Sequence, residues 1–223
     1  MLVRNSSNAA LKSVSGPPSE LVNQDASWTE YKYRGDLEIF GEAEPAEYVY
    51  QVREGAVRTH KLLSDGRRQI NAFHLRGDIF GVESEDLHRF TAEAVVHTTV
   101  WIAKRRSLFA GLATGDIPTT NNLRHLISGT LEQAEKHLLL LGRQSALEKV
   151  ASFLMEMDRR LGEPEVMALP MTRRDVADYL GLTIETVARA LSILRDEGVL
   201  GFIGQTQRQI VLHDRRKLYQ RVN

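Results

Sequence analysis

The stretch "TRRDVADYLGLTIETVARAL", residues 172–191, predicts two short amphipathic helices separated by a glycine. Thr172 and Asp175 have the spacing of a capping box at the start of the first helix. Gly181 is placed to end that helix, and Thr183 is placed to cap the second one. Two helices joined by a short turn containing glycine are typical of a helix-turn-helix.

The second helix predicts candidate base-reading residues, Glu185, Ala188 and Arg189, which lie off its apolar face and near its N-terminus. An arginine can bind guanine O6 and N7 with two hydrogen bonds, and a carboxylate can accept one from cytosine N4. In an arbitrary helix, Glu185 and Arg189 would form only a surface ion pair worth about 0.3 to 0.5 kcal/mol. The helix-turn-helix setting favours DNA reading, and an ion pair would then hold the arginine fork in position.

Four residues around the two helix starts are candidates for contacts with DNA phosphates, which fix register without reading sequence. They are Thr172, Arg173, Thr183 and Thr186. Beyond the second helix, "VLGFI" and "RQIVL" flank Gly204 and predict a β-hairpin, and so a winged helix-turn-helix.

The segment from Gly35 to about Ala103 consists of short alternating apolar runs separated by glycines, which predicts an antiparallel β-sandwich or barrel. Its strongest hairpin signal is Asp65-Gly66, for which we expect a type I′ turn with positive φ at both residues. Before this segment, residues 1–30 are rich in Ser, Asn and Pro and predict a mobile arm.

Apolar or small residues draw one stripe along a long helix that begins near Asp116 and Pro118. The stripe consists of Leu123, Ile127, Thr130, Ala134, Leu138 and Leu141. From the residues alone, this stripe packs either on the chain's own sandwich or against a second copy as a coiled-coil seam. Gly142 interrupts the helix, and "SALEKVASFLMEMDRRLG" predicts a further amphipathic helix.

Composition limits the possible classes of protein. The formal net charge is zero, so a nucleic-acid partner must be argued from local charge, such as the nine Lys/Arg against six Asp/Glu after residue 170. The chain has no cysteine, which excludes disulfides and thiolate metal sites. No apolar run is long enough for a membrane span, and no secretory signal is recognisable, so we expect a cytoplasmic protein without a membrane partner.

Taken together, the sandwich segments "GAVRTHKLLSDGRRQINAFHLRGDIFG" and "HRFTAEA", the long helix and the helix-turn-helix resemble the Crp/Fnr family of bacterial transcription regulators, in particular its FixK branch. The resemblance covers about Gly35 to Leu212. It implies a homodimer joined through the long helix, which favours the seam. It also implies binding to a TTGA…TCAA palindrome whose half-sites lie ~34 Å apart, with Glu185 and Arg189 as base readers. Ala188 stands where many relatives have serine, so a hydroxyl contact is lost while a methyl contact to thymine remains.

The resemblance implies an α+β fold in four parts. These are an N-terminal arm (1–30), an antiparallel β-sandwich or jelly roll like a cyclic-nucleotide-binding domain (31–115), a dimerisation helix (116–142) and a winged helix-turn-helix domain (143–223). In relatives, a surface hairpin contacts RNA polymerase, and its equivalent here is Asp65, Gly66, Arg67 and Arg68. The plainer interpretation of that hairpin is an ordinary solvated turn.

Relatives that bind cyclic AMP use a Gly-Glu pair followed by an Arg-Ser-Ala run, and this chain departs from both motifs. It has Gly81-Val82 and Phe90-Thr91-Ala92, with the glutamate and arginine displaced to Glu83 and Arg89. Cysteine ligands for an iron–sulfur cluster, and a regulatory cysteine, are missing. We therefore expect a regulator of microaerobic, respiratory or nitrogen-fixation genes without cofactor or effector. The alternative is an effector-dependent regulator that binds a cyclic nucleotide or another small ligand in the sandwich.

Two other classes of function are weighed against a regulator. An enzyme of the cupin type would need clustered histidines, but the seven histidines include neither a His-x-His nor a His-x-x-x-His spacing. No phosphate loop or nucleophile motif is present either, so we expect no catalytic residues and no metal site. A scaffold built only on the seam would leave Glu185 and Arg189 without a role.

Overall fold

The computed structural model describes residues 12–13, 28–107, 117–143, 145–204 and 207–221. The chain divides into two compact units. The first contains residues 1–63 and 71–134, and the second contains residues 64–70 and 135–223. The long helix α1 (Ile117–Leu141) contributes residues to both units. These two units do not test the boundaries of the four domains expected from the sequence, which stay a prediction.

The first unit is built around two sheets whose strands pair antiparallel, with Tyr50 opposite Ile102, for example. One sheet has the order β1 (Lys12–Ser13), β2 (Thr29–Tyr33), β9 (Thr98–Lys104), β4 (Tyr48–Glu54) and β7 (Ile79–Phe80). The other has the order β3 (Glu38–Phe40), β8 (Thr91–Ala94), β5 (Val57–Leu62) and β6 (Arg68–His74), and the first three residues of β6 belong to the second unit. The predicted sandwich is therefore confirmed.

A continuous hydrophobic core joins the two sheets, because alternate side chains of each strand point inward. It includes Phe40 of β3, Tyr50 of β4, Phe80 of β7 and Val100 of β9, all nearly inaccessible to solvent. The predicted arm lies mostly outside the described residues, but Lys12–Ser13 forms a short strand on β2. Residues 12–13 of the arm are therefore paired in a sheet.

The predicted hairpin at Asp65-Gly66 is present, but its turn is not of type I′. Gly66 has φ +82°, whereas Asp65 is not among the described residues with positive φ. The connection from Leu62 to Arg68 is longer than a two-residue turn. Asp65 accepts the backbone N–H of Arg67 over 3.0 Å, so its side chain closes the turn and only the glycine needs the left-handed region.

The second unit contains the predicted winged helix-turn-helix and two elements that the sequence did not indicate. Its elements are α2 (Ala146–Arg160), β10 (Met167–Ala168), α3 (Arg173–Leu180), α4 (Ile184–Asp196), β11 (Leu200–Ile203), β12 (Gln209–Leu212) and α5 (Arg215–Gln220). Ser145 and Glu148 form a capping box on α2. Strand β10 and helix α5 are the unpredicted elements; β10 joins the wing as its third strand, next to β12.

The helices of the described residues include none that combines the length and the apolar character of a membrane span. Within the same residues, no group of three or more His, Asp or Glu side chains is arranged to hold a metal ion.

Candidate nucleic-acid interface

The helix-turn-helix is held together by caps that its own sequence supplies. Thr172 and Asp175 form the predicted capping box on α3. Gly181 ends α3 with φ +64°, a left-handed conformation that glycine adopts without steric cost, and donates its N–H to Ala177. Thr183 caps α4 by accepting the N–H of Thr186 over 3.2 Å. These local bonds fix where the second helix begins.

Helix α4 buries one face and presents another to solvent. Its buried residues are Val187, Ala190, Leu191 and Leu194. Glu185 and Arg189 are exposed, and Ala188 between them is half-buried. The three candidate base readers therefore lie together on the accessible side of the N-terminal half of α4, as the sequence predicts for a helix that enters the major groove.

The electrostatics of Glu185 differ from the expected ion pair. The pKa of its carboxyl is lowered by hydrogen bonds from its own backbone N–H and from the Thr183 side chain, with a smaller contribution from the positive charge of Arg174. Among the described contacts there is no ion pair between Glu185 and Arg189. In the chain without DNA, the helix start orients the carboxylate, which stays ionised and able to accept a hydrogen bond.

The candidate phosphate-contacting residues fall into two groups. Thr183 and Thr186 share a hydrogen bond between their hydroxyls over 3.0 Å at the exposed start of α4. Thr172 is half-buried, and its hydroxyl donates to Asp175 over 2.7 Å, so in this structure it is engaged in the cap. Arg173 donates to Gln207 of the wing, and its guanidinium lies 5.7 Å from the ring centre of Phe202. Arg173 therefore connects α3 to the wing.

Two further basic residues at this surface were not singled out in the sequence. Arg174 is exposed on the first turn of α3. Arg208 is exposed on the wing and reaches the carbonyl of Pro170 over 3.5 Å. The pair Arg173-Arg174 beside a helix cap was the sequence signal for the first of them, whereas only the fold brings Arg208 to the same unit.

The displaced Glu83 and Arg89 of the sandwich bind each other. Glu83 is 7% exposed, and its Oε2 accepts from Arg89 Nε over 2.7 Å. The side chain of Arg89 itself remains mostly in solvent, with 63% exposure. The arginine is therefore not a buried cation facing an interior site, which agrees with the departure from the cyclic-AMP motif.

The interior beside this ion pair is filled by stacked rings. His88 lies 3.6 Å from Phe40, centroid to centroid, with nearly parallel planes. Tyr50 stacks on Phe80 with ring centroids 5.2 Å apart, and His74 also stacks on Phe80, with centroids 5.0 Å apart. Burial lowers the pKa of His88 below its ordinary value, although the Glu83 carboxylate 3.8 Å away opposes the shift.

The two arginines of the hairpin, Arg67 and Arg68, differ in exposure and in hydrogen-bond partners. Arg67 is exposed, with 76% of its side chain accessible, and its Nε donates back to Asp65 over 2.7 Å. Arg68 was expected on the same exposed tip, but its guanidinium is mostly covered and binds Asp175 and Asp178. Arg68 is therefore not part of the exposed tip, because acidic side chains of α3 engage it, and the contact of the hairpin with RNA polymerase stays a prediction.

The stripe on α1 is exposed in the single chain. Ile127, Thr130, Ala134 and Leu138 are all accessible, while the side chain of Leu123 lies outside the described residues. Leu141 is half-buried and lies 3.8 Å from the position that a Cβ on Gly181 would occupy. Leu131, which the predicted stripe omitted, is 57% exposed and completes a regular 4-3-4 spacing with the residues on either side.

Comparison with known proteins accounts for both units. Residues 31–114 match the cyclic nucleotide-binding domain, and residues 148–221 match the Crp-like helix-turn-helix domain. The chain is 43% identical over 209 residues to the nitrogen fixation regulation protein FixK of Azorhizobium caulinodans, covering 92% of this chain and 82% of that protein. The chain belongs to the FixK branch of the Crp/Fnr family.

Further relatives agree with this membership. The nitrogen fixation regulation protein FixK of Rhizobium meliloti is 41% identical over 168 residues, covering 75% of this chain and 76% of that protein. The solved structure of FixK2 from Bradyrhizobium japonicum has a TM-score of 0.81 and 57% identity, covering 87% of this chain and 96% of that one. As a member of this branch, the chain is a transcription regulator with a DNA-binding helix-turn-helix and not an enzyme.

Proposed function

We propose that the chain acts in the cytoplasm as a homodimeric activator that binds a TTGA…TCAA palindrome without a small-molecule effector. The observation that carries this proposal is the capped start of α4, where Glu185 and Arg189 share an accessible face. The relatives named for nitrogen fixation regulation support a role in regulating nitrogen-fixation genes, and the proposal extends to microaerobic or respiratory genes.

Base reading is assigned by the donor and acceptor pattern of each side chain. Arg189 would bind guanine O6 and N7 as a fork, and Glu185 would accept from cytosine N4, each discriminating by about 1 to 3 kcal/mol. Ala188 offers a methyl group for a thymine methyl. Two groups of residues would contact phosphates. At the start of α4 they are Thr183 and Thr186, and at the start of α3 they are Thr172, Arg173 and Arg174.

The dimer is supported by the exposed apolar side chains of α1. Ile127 and Leu138 are more than half exposed in the single chain, and water contact with such residues along one stripe is costly unless a partner covers them. A parallel seam through Ile127, Leu131, Ala134 and Leu138 would place two α4 helices for two half-sites one helical turn, ~34 Å, apart.

Independence from an effector is supported by the contents of the sandwich. A cyclic nucleotide needs room for its base and a buried cation for its phosphate. The interior is occupied by the rings of Phe40, Tyr50, Phe80 and His88. Glu83 already binds Arg89, the arginine that is displaced from its position in the cyclic-AMP motif.

The alternative, an effector-dependent regulator, has one observation in its favour. A groove of about 640 Å³ on the first unit is lined by basic side chains of Lys104, Arg105 and Arg106 together with Asp86 and residues 45–48. Arg105, however, donates to the carbonyl of Glu85 over 2.6 Å. An anion bound in this groove would have to displace that bond.

The experiment is a binding titration of the purified protein with a TTGA…TCAA duplex and with a scrambled duplex of equal length, at stated salt, with and without cyclic AMP. We expect selective binding that the nucleotide leaves unchanged. Selectivity that appears only with cyclic AMP would establish the alternative. Equal affinity for both duplexes would remove the assignment of Glu185 and Arg189.

A further inference from the structure

Arg68 binds two acidic side chains of α3 through different nitrogen atoms. Its Nε donates to Asp178 Oδ2 over 2.9 Å, and its Nη2 donates to Asp175 Oδ1 over 2.6 Å. The two carboxylates lie one turn apart on the same face of the helix, so one planar guanidinium can bind both. A lysine, which carries a single ammonium, does not reproduce this fork.

Asp175 divides its two oxygens between Arg68 and the helix cap. Its Oδ2 accepts from the backbone N–H of Thr172 over 2.9 Å and from the Thr172 hydroxyl over 2.7 Å, while Oδ1 faces Arg68. Asp175 is 1% exposed, and a buried carboxylate requires a compensating charge. Arg68 supplies that charge at Asp175, the capping-box partner of the N-cap residue Thr172.

The other end of α3 is held from the same segment and from α1. The side-chain amide of Gln69 donates to the Tyr179 carbonyl over 3.4 Å, and His137 Nε2 lies 2.8 Å from the same oxygen. The His137 ring also stacks on the Tyr179 ring, with centroids 3.9 Å apart and planes 2° from parallel. Contacts at both ends therefore fix the first helix of the helix-turn-helix.

We propose that Arg68 is a positioning residue for DNA binding. It acts through Asp175 and Asp178, holding α3 and its cap so that Arg173 and Arg174 on its first turn meet the phosphates while α4 enters the groove. This inference rests on the proposed function, since it assigns α3 to the DNA backbone. Arg68 itself is mostly covered and donates to acidic side chains, so it does not read bases or bind phosphate.

The test compares the wild type with Arg68→Ala, Arg68→Lys and Asp178→Asn in two measurements. The first is backbone amide hydrogen exchange of residues 173–180 in the protein without DNA. The second is affinity for the palindromic duplex over a series of salt concentrations. Arg221→Ala is the matched control, because it removes a surface arginine that pairs with Glu197 over 2.6 Å.

Arg68→Ala should speed exchange in α3 and weaken DNA binding roughly tenfold, as expected when charge-assisted bonds that order an interface are lost. The slope of log affinity against log salt should stay as in the wild type, because no phosphate contact is removed. Arg68→Lys should fall between the two, which keeps the test valid if Arg68→Ala fails to fold. Asp178→Asn should follow Arg68→Ala in direction, and Arg221→Ala should match the wild type.

Unchanged exchange and unchanged affinity in Arg68→Ala would overturn the proposal. A slope reduced by about 1.8, or about 0.9 for each protomer of the dimer, would overturn it as well, since that is the signature of a lost phosphate contact. If the wild type does not select the palindrome, the proposed function fails, and faster exchange in Arg68→Ala still establishes separately that Arg68 holds α3.

Discussion

Arg68 Nη2 donates to Asp175 Oδ1 over 2.6 Å, so the arginine at the start of β6 binds the capping-box partner of Thr172 in the first helix of the helix-turn-helix. Its neighbour Arg67 donates within the turn to Asp65 and otherwise faces solvent. Two adjacent arginines with the same charge therefore have separate structural roles. A substitution at one does not stand for a substitution at the other.

Arg67 alone is the residue with which to test a contact with RNA polymerase. Arg67→Glu should lower transcription from a promoter carrying the palindrome by roughly threefold, because it reverses one charge in a weak exposed contact. DNA affinity should stay unchanged. In vitro transcription and a binding titration on the same promoter measure the two quantities. A matching loss of DNA affinity would contradict this role.

Replacing Gly81 is expected to lower the stability of the sandwich. Gly81 has φ +76°, and a Cβ at this position would lie 2.7 Å from Tyr50 Cδ2. Gly81→Ala should lower the free energy of unfolding by about 2 to 3 kcal/mol, from backbone strain and displacement of the ring stack. Gly77→Ala is the control: its φ is +93°, but nothing lies within 4 Å, so strain alone should cost about 1 kcal/mol. Equal losses in urea unfolding would contradict the packing argument.

Because His88 is buried, we expect the folding stability of the sandwich to fall in acid. Burial lowers the pKa of His88 from 6.5 in the folded state, so the unfolded chain binds the proton more readily between the folded value and 6.5. This contribution to stability is complete above about pH 6.5 and is lost as the pH falls, by at most about 1.4 kcal/mol per pH unit.

The measurement for His88 is urea unfolding at pH 7.5 and at pH 5.5, for the wild type and for His88→Gln. The variant should be less stable at pH 7.5 but should lose less stability on acidification, because its side chain does not titrate. The same loss on acidification in both proteins would show that other groups carry the dependence.

The seam on α1 is tested with two adjacent leucines that are equally exposed. Leu138, at 70% exposure, lies in the proposed seam, and Leu139, at 72%, lies about 100° around the helix. Leu138→Glu should convert the dimer to a monomer in sedimentation velocity, because it buries a charge in the interface. Leu139→Glu should remain dimeric. The reverse result would assign the interface to a different face of α1.

The local parts of the fold could be predicted from the sequence. The ends of two helices are determined by hydrogen bonds between near neighbours in the chain, made by Thr172, Asp175, Gly181 and Thr183. The spacing of these residues alone therefore indicates where the helices begin and end. The same holds for the amphipathic pattern of α4. Sequence order also predicted the sandwich, because turn residues recur between alternating runs.

Relationships over long sequence distances could not be predicted. The partner of Arg68 is 107 residues away in the chain, and the turn that carries Arg68 looks like an ordinary solvated hairpin in the sequence. The exposed Leu131 was omitted from the predicted stripe, because Thr130 fits the same spacing within one residue. Strand β10 has only two residues, too few for a period.

The most direct test of base reading by α4 is a cycle of protein and DNA changes. Wild type and Arg189→Ala are titrated with the palindrome and with a duplex in which the G·C pair of each half-site is replaced. Arg195→Ala, at the far end of the same helix and paired with Asp196, is the control. We expect the wild type and Arg195→Ala to lose about 1 to 3 kcal/mol or more per half-site on base replacement, and Arg189→Ala to bind weakly and to keep only the smaller discrimination that Glu185 supplies at the cytosine. Full discrimination retained in Arg189→Ala would show that Arg189 does not read the G·C pair.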